Sequence, residues 1–185
     1  MKPATVLIIL LLIIIGAIAL WGERPFIPSP PVARRTATES TRSTLGGPKK
    51  TVVLFFLAQD QKSLQEETRE IIGATTTTEE AKLVLAELVK GPESDLGPTV
   101  APAAQIRNLF IDSSGTAYAD FDRELKEGHG GGAQKEFYAV FSIVDTLASN
   151  FPQIKRVQIL VEGLEIPTLA GNVDTGRPLS PQYVF

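Results

Sequence analysis

The sequence predicts an α+β fold: a mixed β-sheet with two helices packed on one face, preceded by a transmembrane helix and a disordered linker. Three observations carry this. The first is the stretch from Ala133 to Gly163. Phe137, Val140, Phe141, Val144, Leu147, Ala148 and Phe151 recur there at three- and four-residue spacing and so share one helix face. Pro152 stops that helix, and Val157, Ile159 and Val161 then alternate with Arg156, Gln158 and Leu160 as a strand does. The second is Val52–Ala58, an apolar run rich in Val and Phe, which reads as a central strand. The third is Ala4–Trp21, 18 residues with no charge. At about 1.5 Å per residue this run is just long enough for a bilayer core of roughly 30 Å.

Taken in order, the chain divides into residues 1–21 as a transmembrane signal anchor, 22–50 as a basic linker rich in Pro, Thr and Ser, and 51–185 as the α+β domain. Ala17-Ile18-Ala19 fits a small-x-small cleavage pattern, but it lies inside the apolar run with no polar region before it, so a retained anchor is the preferred reading. Lys and Arg flank the run on both sides and do not set its orientation; a very short N-terminal tail ordinarily stays in the cytoplasm. The linker has too few apolar residues to fold, and its 29 residues reach at most about 90 Å when extended.

Within the domain, Leu64–Ile72 is read as a second strand after the polar turn Gln59–Lys62. Thr76 with Glu79, and Thr77 with Glu80, each fit a capping box that opens a helix. Ala81, Val84, Leu85, Leu88 and Val89 form its buried stripe, and Gly91-Pro92 ends it. Ile106–Asp112 and Ala117–Phe121 make a hairpin about Ser113-Ser114-Gly115. Gly128–Gly132 is a hinge into the long helix. Ile166–Leu169 is expected as a short edge strand, and 176–185 as an irregular tail.

Composition excludes several chemistries. There is no cysteine and one histidine, so thiolate sites, disulfides, a lipid-modified cysteine and paired-histidine metal sites are absent. From Thr51 onward eleven basic residues face nineteen acidic ones, which argues against nucleic acid as a partner. Residues 22–50 carry six basic and two acidic residues, read as a solvated tether.

The most enzyme-like string is His129-Gly130-Gly131-Gly132, which in α/β hydrolases donates an oxyanion-hole amide. No Gly-x-Ser-x-Gly elbow accompanies it, and no second histidine exists to act as base. No glycine-rich nucleotide pattern is present either, so the string reads as a mobile loop. Asp112, Asp120, Asp122 and Glu124 gather around the hairpin, with Asp120 and Asp122 expected on one side of an extended strand. A paired-carboxylate hydrolase needs two acids across a cleft. Solvated strand-end acids are the commoner case. Glu67-Thr68-Arg69 reads as a partly buried arginine paired to a carboxylate, holding strand position. No catalytic, cofactor-binding or metal-ligating residue is assigned, and no cofactor is expected.

Several strings in order resemble the GerMN domain of spore-germination and sporulation proteins, over about Thr51–Pro178. They are Leu54-Phe55-Phe56, Glu67-Thr68-Arg69, Leu85 to Pro92, Gly115 to Phe121, Ser142 to Leu147 and Val157 to Gly163. Two positions depart from the family pattern. Asp145 stands where Asn is frequent, and Gly171-Asn172-Val173-Asp174 stands where Gly-His-x-Asp is frequent. The resemblance implies no catalytic activity. It implies a single-pass protein of the bacterial cytoplasmic membrane, held through residues 4–21 with the domain outside the cytoplasm. Its expected partners are an envelope protein, peptidoglycan or a second copy of the chain. The competing reading is a cell-wall hydrolase, or its regulator, built on carboxylates near Asp120.

The helical phase gives a direct test. Phe141→Ala should destabilise the domain by about 3–5 kcal/mol, whereas Lys135→Ala should shift stability by no more than about 0.5 kcal/mol. Equal changes in melting temperature would show the phase to be wrong.

Overall fold

The structure is a computed structural model, and it describes residues 47–183. The elements run β1 (Lys49–Leu57), β2 (Leu64–Ile72), α1 (Thr77–Lys90), β3 (Ile106–Ile111), β4 (Thr116–Phe121), α2 (Glu124–Glu127), α3 (Ala133–Asn150), β5 (Arg156–Val161) and β6 (Leu164–Glu165). The class is α+β, with a mixed sheet in the order β3-β4-β5-β6. β3 and β4 are antiparallel, β4 and β5 parallel, and β5 and β6 antiparallel. The long helix α3 packs on β1 and β5, and α1 packs on β1, β3 and α3.

The expected membrane-spanning helix is corrected. Among the described residues no helix is long and apolar enough to cross a membrane. The longest, α3, carries Lys135, Glu136 and Asp145 along its length. Ala4–Trp21 lies outside the described residues, as does most of the stretch read as linker. The single-pass placement in a bacterial cytoplasmic membrane, with the domain outside, therefore has no support in this fold, and neither does the membrane as a partner through residues 4–21. β1 begins at Lys49, inside the stretch read as linker.

A second correction concerns the sheet. β1 and β2 form a separate antiparallel hairpin, with Val52 opposite Arg69 and Leu54 opposite Glu67. The reason lies on the other edge of β1. Val53 N donates to Asn150 Oδ1 (2.9 Å), and Asn150 Nδ2 donates to Val53 O (2.6 Å). Phe55 N donates to Thr146 Oγ1 (3.2 Å). Leu57 exchanges backbone bonds with Gly97 (2.9 and 2.7 Å). Side chains of α3 and one loop residue thus occupy an edge that another strand would otherwise take.

Local signals held where they were strong. Thr76 Oγ1 accepts from Glu79 N (3.2 Å) and Glu79 Oε2 accepts from Thr76 N (3.3 Å), which completes the first capping box. Glu80, placed in the second, bonds Lys50 Nζ instead (2.6 Å). All five residues of the α1 stripe are buried. In α3 the expected face is buried except for Phe137, which is half-buried. Residues 138–148 are buried on every side, including Ser142, Asp145 and Thr146. The helix packs against β1, α1 and β5, and the Gln182 and Tyr183 amides of the C-terminal tail donate to the Asp145 carboxylate (2.9 and 3.0 Å).

The short edge strand is Leu164–Glu165 rather than Ile166–Leu169. Glu162 (φ 54°) and Gly163 (φ 77°) both have positive φ, so a two-residue turn places Leu164 opposite Val161. Pro167 has no amide to extend the pairing. The tail is not wholly irregular, since Leu179 exchanges both backbone bonds with Val157 (2.8 Å each).

Asn150→Ala would leave both Val53 backbone groups without their partner and should cost about 1–3 kcal/mol in chemical denaturation. An unchanged midpoint would show that the β1 edge is satisfied without this side chain.

Candidate functional site

Arg69, buried on β2, is the centre of the densest polar cluster. Its Nη2 donates to Glu67 Oε1 (2.5 Å) and to Gly91 O (3.0 Å). Its Nη1 donates to Glu87 Oε2 (3.1 Å) and Glu87 O (3.2 Å). Its guanidinium lies 5.9 Å from the Phe56 ring centroid. The two carbonyls sit at the C-terminal end of α1, where helix carbonyls lack internal partners. The Glu67 carboxylate in turn accepts from Glu93 N (3.1 Å), Ser94 N (3.0 Å) and Ser94 Oγ (2.5 Å). Burial alone would raise the Glu67 carboxyl, but the Ser94 hydroxyl, the two loop amides and Arg69 outweigh it and hold it at about 2. Burial alone would lower Arg69; the carboxylates of Glu67, Glu87 and Glu93 outweigh it and raise the guanidinium instead. The cluster ties β2, the end of α1 and the 93–94 loop together, as the pairing of Arg69 with a carboxylate led one to expect.

The hairpin carboxylates do not meet as a pair. Asp112 Oδ1 accepts from Ser114 N (2.9 Å), Ser114 Oγ (2.7 Å) and Thr116 N (2.8 Å), closing the β3–β4 turn. Asp120 Oδ1 accepts from Gly163 N (2.7 Å), and Asp120 Oδ2 lies 3.6 Å from Arg107 Nη1. Asp122 Oδ1 accepts from Gln105 N (3.0 Å), ahead of β3. Glu124 lies 4.0 Å from Arg123. Asp120 and Asp122 therefore serve different loops, and none of these four acids lines the cavities described next. Among the described residues no group of three or more His, Asp or Glu is placed to hold a metal ion.

Among the concavities of the described surface, three stand out. A groove of about 830 Å³ runs between α1 and the start of β3, lined by Leu83, Ala86, Val89, Ala104 and Ile106. A polar cleft of about 520 Å³ lies between the 58–63 turn and the 94–96 loop, with Asp60 and Asp95 on its walls. A pocket of about 210 Å³ lies between the 98–102 loop and His129. His129 Nε2 and Thr99 Oγ1 are both buried there without a hydrogen-bond partner in the protein. Burial pushes the imidazole below its usual pKa; Glu136 opposes this and Lys135 adds to it.

Sequence reasoning missed Glu136. It is fully buried in the first turn of α3, and among the described residues it forms no salt bridge. Its oxygens accept from Leu169 N (2.9 Å), Ala170 N (2.7 Å), Asn172 N (2.8 Å) and Asn172 Nδ2 (2.8 Å). Burial alone would raise this carboxyl, but the amides outweigh it and its pKa is lowered. Asn172, the departure from the Gly-His-x-Asp pattern, is thus one of its donors. An acid in the first turn of a helix was the only local signal, since its partners lie 33 to 36 residues further along.

The Glu67 cluster generates a pH prediction. A carboxyl held at about 2 against an ordinary 4.5 contributes about 3 kcal/mol to folding at neutral pH. Because the folded-state value is depressed, this contribution is present above pH 4.5 and is lost as pH falls towards 2. Glu67→Gln should lower stability at pH 7 and flatten the acid limb of a pH–stability profile. Parallel acid limbs for both proteins would refute the assignment.

Known proteins match this architecture. The family model described as "Germane: Sporulation and spore germination" matches residues 53–167. The first GerMN domain of the sporulation protein GerM from Bacillus subtilis aligns at 21% identity and TM-score 0.56, over 71% of this chain and 97% of that one. The tandem GerMN domains of the same protein align at 20% identity and TM-score 0.56, over 74% of this chain and 46% of theirs. A candidate lipoprotein from Clostridium perfringens aligns at 21% identity and TM-score 0.52, over 74% and 90%. At these identities the likeness is one of fold. A search of curated proteins finds no match. The family model spans well over half of the sequence, and the chain belongs to the GerMN family of sporulation and spore-germination domains.

Proposed function

We propose that the protein works by contact, seating an apolar segment of a protein partner in the groove between α1 and β3, in the service of sporulation or spore germination. The observation that carries this reading is the groove itself. It is about 830 Å³ and largely apolar, and Leu83 on its wall is 44% exposed. Exposed apolar surface of this kind marks interaction sites on soluble domains. β3 beside it is an outermost strand of its sheet, and it presents Phe110 at 59% exposure. An outermost strand can take up an extended segment from another chain. The process is taken from the family description and from the sporulation protein of similar fold.

The hydrolase reading near Asp120 finds no comparable support, since Asp120, Asp122 and Asp112 each accept from loop amides. A photo-crosslinking residue at position 83 should capture one discrete protein in cells, and the same residue at position 66 on β2 should not. Leu83→Asp combined with Phe110→Asp should abolish that capture and the associated spore phenotype with little change in melting temperature, since both side chains are exposed. A folded double variant with an unchanged phenotype would sink the proposal.

A further inference from the structure

We propose that the pocket between the 98–102 loop and His129 binds a small carboxylate carrying a short apolar body, either a free acid or the C-terminus of a peptide. This site is separate from the partner groove and does not depend on it.

The pocket is built by a close approach. A Cβ on Gly128 would lie 2.8 Å from Glu124 O and 2.9 Å from the Ala101 Cβ, so only glycine lets this segment lie against the 98–102 loop. That approach brings His129 to one wall while Thr99 stands on another. Both polar atoms, His129 Nε2 and Thr99 Oγ1, are buried and unpartnered in the protein. Thr99 and His129 both line the cavity, and a buried polar atom without a partner forfeits its hydration unless a ligand or water bonds it. A volume of about 210 Å³ exceeds what one bridging water fills and suits a small organic molecule.

The lining selects the chemistry. Leu57, Pro98, Val100, Pro102 and the Tyr138 ring supply apolar walls. Lys135 belongs to the same lining, and its charge acts on the His129 imidazole. Among the described residues the acid that acts on the imidazole is Glu136, whose oxygens are turned to the amides of residues 169–172. The 97–102 loop and Leu57 carry no titratable side chain. An anionic head beside Lys135, bonded by the Thr99 hydroxyl and the imidazole, with an apolar tail against the prolines, matches every group present.

The chain has one histidine, so its imidazole resonances report the pocket alone. Titrating the full chain with butyrate should shift them saturably, and butyramide, which lacks the charge, should not. Bound carboxylate should raise the His129 pKa. N-acetyl-trialanine tests the peptide source: saturation by it alone assigns the site to a chain end, and saturation by butyrate alone assigns it to a free acid. Thr99→Val keeps the shape and removes one hydrogen bond, and Lys135→Gln removes the exposed charge; each should weaken binding about tenfold. Lys135→Gln lies on the surface and preserves the test if Thr99→Val alters folding. No saturable shift with either acid, an equal response to butyramide, or unchanged affinity in Lys135→Gln would overturn the proposal.

Discussion

The second edge of β1 sets the organisation of the fold. A strand of nine residues presents backbone groups on both sides, and buried groups must find partners. β2 satisfies one side as a hairpin. On the other side Asn150 and Thr146 of α3 bond Val53 and Phe55, and the Gly97 backbone bonds Leu57. A helix thereby closes a strand edge. The hairpin stays separate from the four-stranded sheet, and α3 is drawn in until its middle is buried on every side.

Buried charge follows the same logic. Glu67, Glu136 and Asp145 all take backbone amides from loops or from the tail, so the acids order irregular chain that has little apolar surface of its own. The amides hold the Glu67 and Glu136 carboxyls below their usual range, in the charged form, which makes them poor proton donors near neutral pH. In that physical sense these three acids hold the domain together. Among the concavities that remain accessible are an apolar groove along α1, a polar cleft beside Asp60 and Asp95, and a small pocket beside His129.

Much of the fold was legible because its determinants are local. The capping box at Thr76 and Glu79, the stripe from Ala81 to Val89, the stop at Gly91-Pro92 and the alternation in β5 involve residues within one or two turns of each other. The pairing of Arg69 with Glu67 was readable for the same reason, since they are two residues apart on one strand. The turn at Glu162-Gly163 was missed because Glu at a positive φ is uncommon, so the short strand was placed two residues too late.

The sequence by itself determined the longer helices and strands and their apolar faces, since periodicity and capping act through near neighbours. It also determined family membership, through ordered strings spread along the domain. Only the tertiary structure decided whether β1 joined the larger sheet, where Glu136 found its donors, and that Thr99 and His129 share a pocket. The partners in those cases are separated by about 30 to 100 residues of chain. Either a strand or a side chain could have satisfied each buried group, and packing in three dimensions chose between them.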